Sequence, residues 1–157
     1  MISKQFFVKP ILSTIAIALL PLTAFNIWAK TSPTPVKAVL PKDLQWKVNP
    51  NIKGVQSAIA IGDSSNSQLY VLFGKMDKGA IFPAHTHPDE RITTVISGVM
   101  YYGVGDQFDR TKVNAYPAGS VVYTPSGVPH FMWAKNSNTV MQETGFGSTG
   151  LRFTTVK

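Results

Sequence analysis

The chain has 157 residues, 44% hydrophobic and only 15% charged, a balance that suits one compact domain with a real core and excludes a disordered polymer. Its net charge of +7 comes from scattered Lys and Arg with no run of three, so the clustered basic face of a nucleic-acid binder is missing and only small anions are attracted. There is no cysteine, which excludes disulfides and a lipid-carrying cysteine and leaves the fold to core packing, aided by a metal or a partner subunit.

In chain order, residues 1–29 read as a signal peptide. Lys4 and Lys9 supply a positive start, Ile11 to Phe25 an apolar stretch, and Ile27-Trp28-Ala29 a small-residue cleavage point. Pro21 interrupts the stretch, which is shorter than the roughly 20 apolar residues of a spanning helix. The expectation is an exported protein, periplasmic or secreted, with no membrane attachment after cleavage; an uncleaved anchor is the alternative. Residues 30–46 read as an extended arm, rich in Pro, Thr and Lys, whose end (KDLQW) is one helical turn or a docking segment that plants Trp46.

Residues 47–157 read as a single all-β domain. Expected strands cover 55–61, 68–76, 91–102, 121–124, 131–135, 139–144 and 151–156, short β-branched and aromatic runs separated by Gly, Pro, Asn and Asp. No segment keeps a helical period long enough for a substantial helix. Gly103 to Asp109 contains a Gly-x-Gly but not a phosphate loop, and reads as a turn. Pro125 is placed second in a turn that Gly127 helps to reverse.

All three histidines of the chain, His85, His87 and His130, fall in two short glycine-punctuated blocks. On a strand, His85 and His87 share a face about 6–7 Å apart. Two imidazoles so placed can chelate one ion with bonds of about 2.0–2.1 Å for zinc. Alone, a His-Thr-His run ending at Pro88-Asp89 is as readily a plain surface turn. His130, following Pro125-Ser-Gly127-Val-Pro129, completes a set of three and turns the reading toward a metal.

These blocks resemble the two motifs of the cupins. Gly79, His85, His87 and Gly98 match the first motif; Gly119, Pro125, Gly127 and His130 match the second, with residues 99–118 between them. The resemblance implies a cupin-type double-stranded β-helix, a jelly-roll-like barrel with a metal site inside. It implies one divalent ion (Fe, Mn, Ni, Cu or Zn) held by His85, His87 and His130. It also implies a small-molecule ligand and, as often in the family, a homodimer. Two positions depart from the motifs. Ala134 replaces the closing Asn, and Arg91 holds the place of the glutamate ligand, with Glu90 one residue early. Arginine has no lone pair to offer. Either a bulge brings Glu90 in, or three histidines leave open positions, which is the preferred arrangement.

Arg91 itself is either a rim residue paired with Asp89 or Glu90, or an inward guanidinium that grips an anionic ligand. Tyr101, Tyr102, Tyr123, Phe131, Met132 and Trp133 read mainly as core, with one or two at the cavity mouth. Glu90, Gln142 and Glu143 are the polar candidates for a proton-transfer role. The function expected is a metal-dependent enzyme, oxygenase-like, acting on a small organic acid or phenolic compound; whether it is catalytic stays open. The alternative is a non-catalytic periplasmic cupin that senses a metal or ligand.

Overall fold

The computed structural model describes residues 35–154, so the expected signal peptide and the first residues of the arm lie outside the described residues. The end of the arm makes one 3-10 turn, Pro41–Asp43, with proline where a missing N–H costs nothing. Trp46 then lies under the Lys75 ammonium, 3.7 Å from the ring centroid, so this segment does dock its tryptophan.

Eleven strands follow: β1 Lys47–Val48, β2 Val55–Ile61, β3 Leu69–Met76, β4 Ile81–Thr86, β5 Arg91–Ser97, β6 Val99–Val104, β7 Asn114–Pro117, β8 Val121–Thr124, β9 His130–Trp133, β10 Thr139–Phe146 and β11 Arg152–Phe153. They pair antiparallel into two sheets, ordered β1-β2-β3-β10-β5-β8 and β11-β4-β9-β6-β7. This is the all-β, jelly-roll-like barrel expected. Among the described residues no helix is long and apolar enough to cross a membrane.

The two-residue period of a strand decides what faces inward. On β10, Thr139, Met141, Glu143 and Gly145 are buried while the residues between them are not; on β5, Arg91, Thr93 and Val95 are buried. The core joins Val55, Val95 and Tyr102 to the methionines Met76, Met100, Met132 and Met141. Each such side chain contributes about 1.5–3 kcal/mol when fully buried. The unbranched thioether fills the irregular gap between two twisted sheets.

Several expected boundaries move. The run 91–102 is two strands in different sheets, broken at Gly98, whose φ is +77°. A Cβ there would run into the Asn138 carbonyl, so the corner requires glycine. The strands β1 and β7, absent from the expected series, pair with β2 and β6. The strand expected over 151–156 is only Arg152–Phe153, and residues from 155 lie outside the described ones. Gly103 and Val104 still belong to β6, where Gly103 pairs with Phe131 so closely that a Cβ would enter its ring, and the expected turn begins at Gly105. Pro125 opens its turn instead of standing second, since the Val128 amide donates to the Pro125 carbonyl at 3.3 Å. Gly127 takes the third position at φ +73°, where a type II turn needs positive φ.

Candidate metal centre

Two neighbouring strands and one loop deliver the histidines. His85 on β4 and His130 on β9 are direct cross-strand partners. His87 stands just past the end of β4, where its carbonyl accepts the Gly127 amide at 2.8 Å and so couples the two glycine-punctuated blocks. Ring centroids are 4.2 Å apart for His85 and His130, 4.8 Å for His85 and His87, and 5.4 Å for His87 and His130. One nitrogen from each lies within 4.8 Å of the other two. The three expected donors therefore converge.

Their tautomers are set by the backbone. The Nδ1–H of His85 donates to the Pro83 carbonyl at 2.7 Å, that of His87 to Gly150 at 2.6 Å, and that of His130 to Val128 at 2.9 Å. Each Nε2 is left as a lone pair, and that of His85 is buried with no partner. An orphaned buried acceptor is costly unless something fills the gap. Burial, followed by repulsion from His130, pushes His85 down to about 3; burial, followed by the Arg91 charge, pushes His87 down to about 4. His130 is lowered as well, mainly by burial. Three neutral imidazoles with fixed Nδ1–H groups are what a divalent ion requires, and the residues fit one. Tyr102 stacks on His130 at 5.2 Å and 17°, while its hydroxyl bonds Thr124 at 2.9 Å.

Glu90 is not part of this set. It is exposed and accepts the Tyr123 hydroxyl at 2.5 Å on the outside of the barrel. No bulge turns it inward, so strand alternation sends Asp89 and Arg91 in and Glu90 out.

Arg91 does face inward and is only 4% exposed, but its grip is already taken. Nη1 donates to Glu143 and Nη2 to Asp89, both at 2.9 Å, and Nη2 also reaches Thr149 at 2.5 Å. The Tyr70 hydroxyl donates to the second oxygen of Asp89. Burial works against the Asp89 charge, yet bonds from Thr149 and Tyr70 and the adjacent guanidinium together hold its carboxyl below the usual range. Burial, with Asp89 beside it, pushes Tyr70 up to about 12. Two carboxylates thus outnumber one guanidinium. Arg91 therefore combines the two expected arrangements: it faces inward, as in the second, and it pairs with Asp89, as in the first.

The network depends on an absent side chain. Gly145 pairs in register with Tyr70 on one side and Arg91 on the other. A Cβ at Gly145 would collide with the Tyr70 hydroxyl and crowd Asp89. Sequence reasoning named Asp89 as a partner of Arg91 but missed Tyr70, Thr149 and this glycine. Of the three polar candidates it raised, Glu143 lies inside, Glu90 outside, and Gln142 bonds only its strand neighbour Thr144 at 2.8 Å. A cavity of about 260 Å³ adjoins the histidines, lined by His85, His87, Arg91, Glu143 and Thr149 together with Phe82, Met76, Met132 and Met141.

The sequence model of the cupin domain family matches residues 72–141. No curated protein matches the chain in sequence. Among solved structures, the fold is similar to that of the polyketide cyclase RemF from Streptomyces resistomycificus, at 16% identity and a TM-score of 0.66 over 78% of this chain and 88% of that one. It is also similar to the DMSP lyase DddQ from Ruegeria pomeroyi, at 18% identity and a TM-score of 0.59 over 74% and 64%. KdgF from Halomonas sp. gives 17% identity and 0.56 over 71% and 94%. At such identities the likeness speaks for the fold alone. The matched segment contains both glycine-punctuated histidine blocks and lies within two antiparallel sheets of the same fold, so residues 72–141 of this chain are a cupin domain.

Proposed function

We propose that this protein is a metal-dependent enzyme acting on a small organic molecule, with one divalent ion held by His85, His87 and His130. The observation that carries the reading is the shared tautomer: all three Nδ1–H groups are spent on backbone carbonyls, leaving three Nε2 lone pairs to meet at one point. An ion bound there supplies Lewis acidity and coordination positions that no fourth protein ligand closes. The chain's own residues do the rest. The methionines and Phe82 give the cavity apolar lining, and the Arg91–Glu143 pair adds a polar one. An oxygenase is the reaction class that an open three-histidine centre suits when the ion is redox-active. The polar start and apolar stretch of residues 1–29 support export to a periplasmic or secreted location.

Metal analysis of protein from its own host, followed by oxygen uptake with a panel of small acids and phenols, tests this. One equivalent of iron, copper, manganese or nickel together with turnover supports the enzyme. Zinc without turnover favours the sensing cupin instead. A triple His85→Ala, His87→Ala, His130→Ala variant that keeps its ion defeats both readings.

A further inference from the structure

We infer that Arg91 is a positioning residue for the metal centre: its bond to Thr149 fixes the neighbouring Gly150 carbonyl and, through it, the ring of His87. The inference rests on the metal-centre reading and deepens it. The three histidines are not anchored alike. His85 and His130 each bond a carbonyl two residues back, on Pro83 and Val128, so their own segments of chain set their rings. His87 bonds Gly150, 63 residues away in the loop between β10 and β11. Its ring is only as firmly held as that loop.

Upstream of Gly150 the loop leans on the β2–β3 connection, where the Gly147 amide donates to the Gln68 carbonyl at 3.1 Å and the Thr149 amide to Ser64 at 2.7 Å. Residues 65–68 of that connection are exposed, so this support is open to competition from water. Downstream, β11 pairs with β4 but is only two residues long and stands at the edge of its sheet. The tie into the interior is Nη2 of Arg91 on the Thr149 hydroxyl, at 2.5 Å. A charge-assisted bond of this kind is about twice as strong as a neutral one. The guanidinium is itself fixed, by Asp89 and Glu143 at 2.9 Å each, and its fork has enough N–H groups for all three partners. At the position where the motif has a ligand, this chain thus has a residue that offers the ion no lone pair but steadies a ligand from behind. Arg91 also acts on His87 through its charge, so the bonded route has to be broken with that charge left in place.

Thr149→Val does this, since it removes the hydroxyl and keeps the shape. The first measurement is nitrogen NMR of metal-free protein with isotope-labelled histidine, which reads the nitrogen that carries the proton in each ring; His87 is identified by the signals lost in His87→Ala. In Thr149→Val, His87 alone should pass from one Nδ1–H tautomer to a mixture, while His85 and His130 keep theirs. Thr149→Ser restores the hydroxyl and should restore the pattern. The second measurement is zinc affinity by chelator competition. Thr149→Val should bind about ten-fold more weakly, the lower end of what a partner behind a ligand is worth, and Thr149→Ser as the unaltered protein does. Arg91→Lys keeps the charge, loses the fork and should weaken zinc by at least as much. The double variant should be no weaker than the weaker single one, because both changes break one bond. The proposal is overturned if His87 keeps its tautomer in Thr149→Val, if all three rings change together, or if the two losses of affinity simply add. Should Arg91→Lys fail to fold, Thr149→Val against Thr149→Ser decides alone. Unaltered protein that binds no zinc refutes the metal reading, and the tautomers of the metal-free protein still decide the positioning of His87.

Discussion

The Nδ1–H of His87 reaches the Gly150 carbonyl at 2.6 Å across 63 residues of sequence. One donor of the centre is therefore aimed by the far end of the domain, where β11 also pairs with β4 beside His85. Bonds of this kind, one step behind a ligand, are typically worth 10–100-fold in metal affinity. Removing residues 148–157 should lower zinc affinity by about that factor, measured by chelator competition. Unchanged affinity would show that the Gly150 bond orients nothing.

Zinc should also raise the stability of the folded protein. An ion that binds only the native state at about 100 times its Kd adds about 2.7 kcal/mol. The triple histidine-to-alanine variant should show no such rise in its Tm. An equal rise in both proteins would place the ion elsewhere.

Metal-free protein should lose stability on acidification. His85 and His87 titrate near 3 and 4 when folded, against 6.5 ordinarily, so between those values the unfolded chain binds more protons than the native one. Their contribution is whole above pH 6.5 and falls away as the pH drops toward 4 and then 3. At about 1.4 kcal/mol per pKa unit the loss is several kcal/mol. Urea midpoints at about pH 7.5 and about pH 5 measure it, and equal midpoints would contradict the burial of these rings as neutral bases.

Arg91→Met should be strongly destabilising. It strands Asp89 and Glu143 as buried charges, a change that costs about 3–5 kcal/mol when one partner of a buried pair is removed. Denaturant unfolding reads this directly. A loss below about 1 kcal/mol would mean that the two acids are solvated or protonated.

Gly145→Ala introduces one methyl group where Tyr70 and Asp89 meet. Overpacking of this kind costs about 1–3 kcal/mol. The double variant with Tyr70→Phe should recover little, because the ring still occupies the space. Full recovery would show that only the hydroxyl contact mattered.

Much of this was readable in the chain. His85, His87 and His130 stand out because they exhaust the histidine content, and Gly127 marks a reversal that needs positive φ. The alternation of Thr139, Met141, Glu143 and Gly145 even carried the signal that Glu143 points inward. Asp89 was readable as a partner of Arg91, but Glu143 and Thr149 were not, since they lie 52 and 58 residues away and no local pattern encodes the pairing. Breaking 91–102 into two strands likewise depends on Asn138, a neighbour brought in only by the fold.

The placement of β10 between β3 and β5 bears on biosynthesis. A nascent chain that has emerged only through β9 exposes two unpaired strand edges in the middle of its larger sheet, and the residue that steadies His87 has yet to leave the ribosome. Long-range pairing of this sort is slow and prone to aggregation until it closes. A product that ends before β10 would keep both edges open and be prone to self-association.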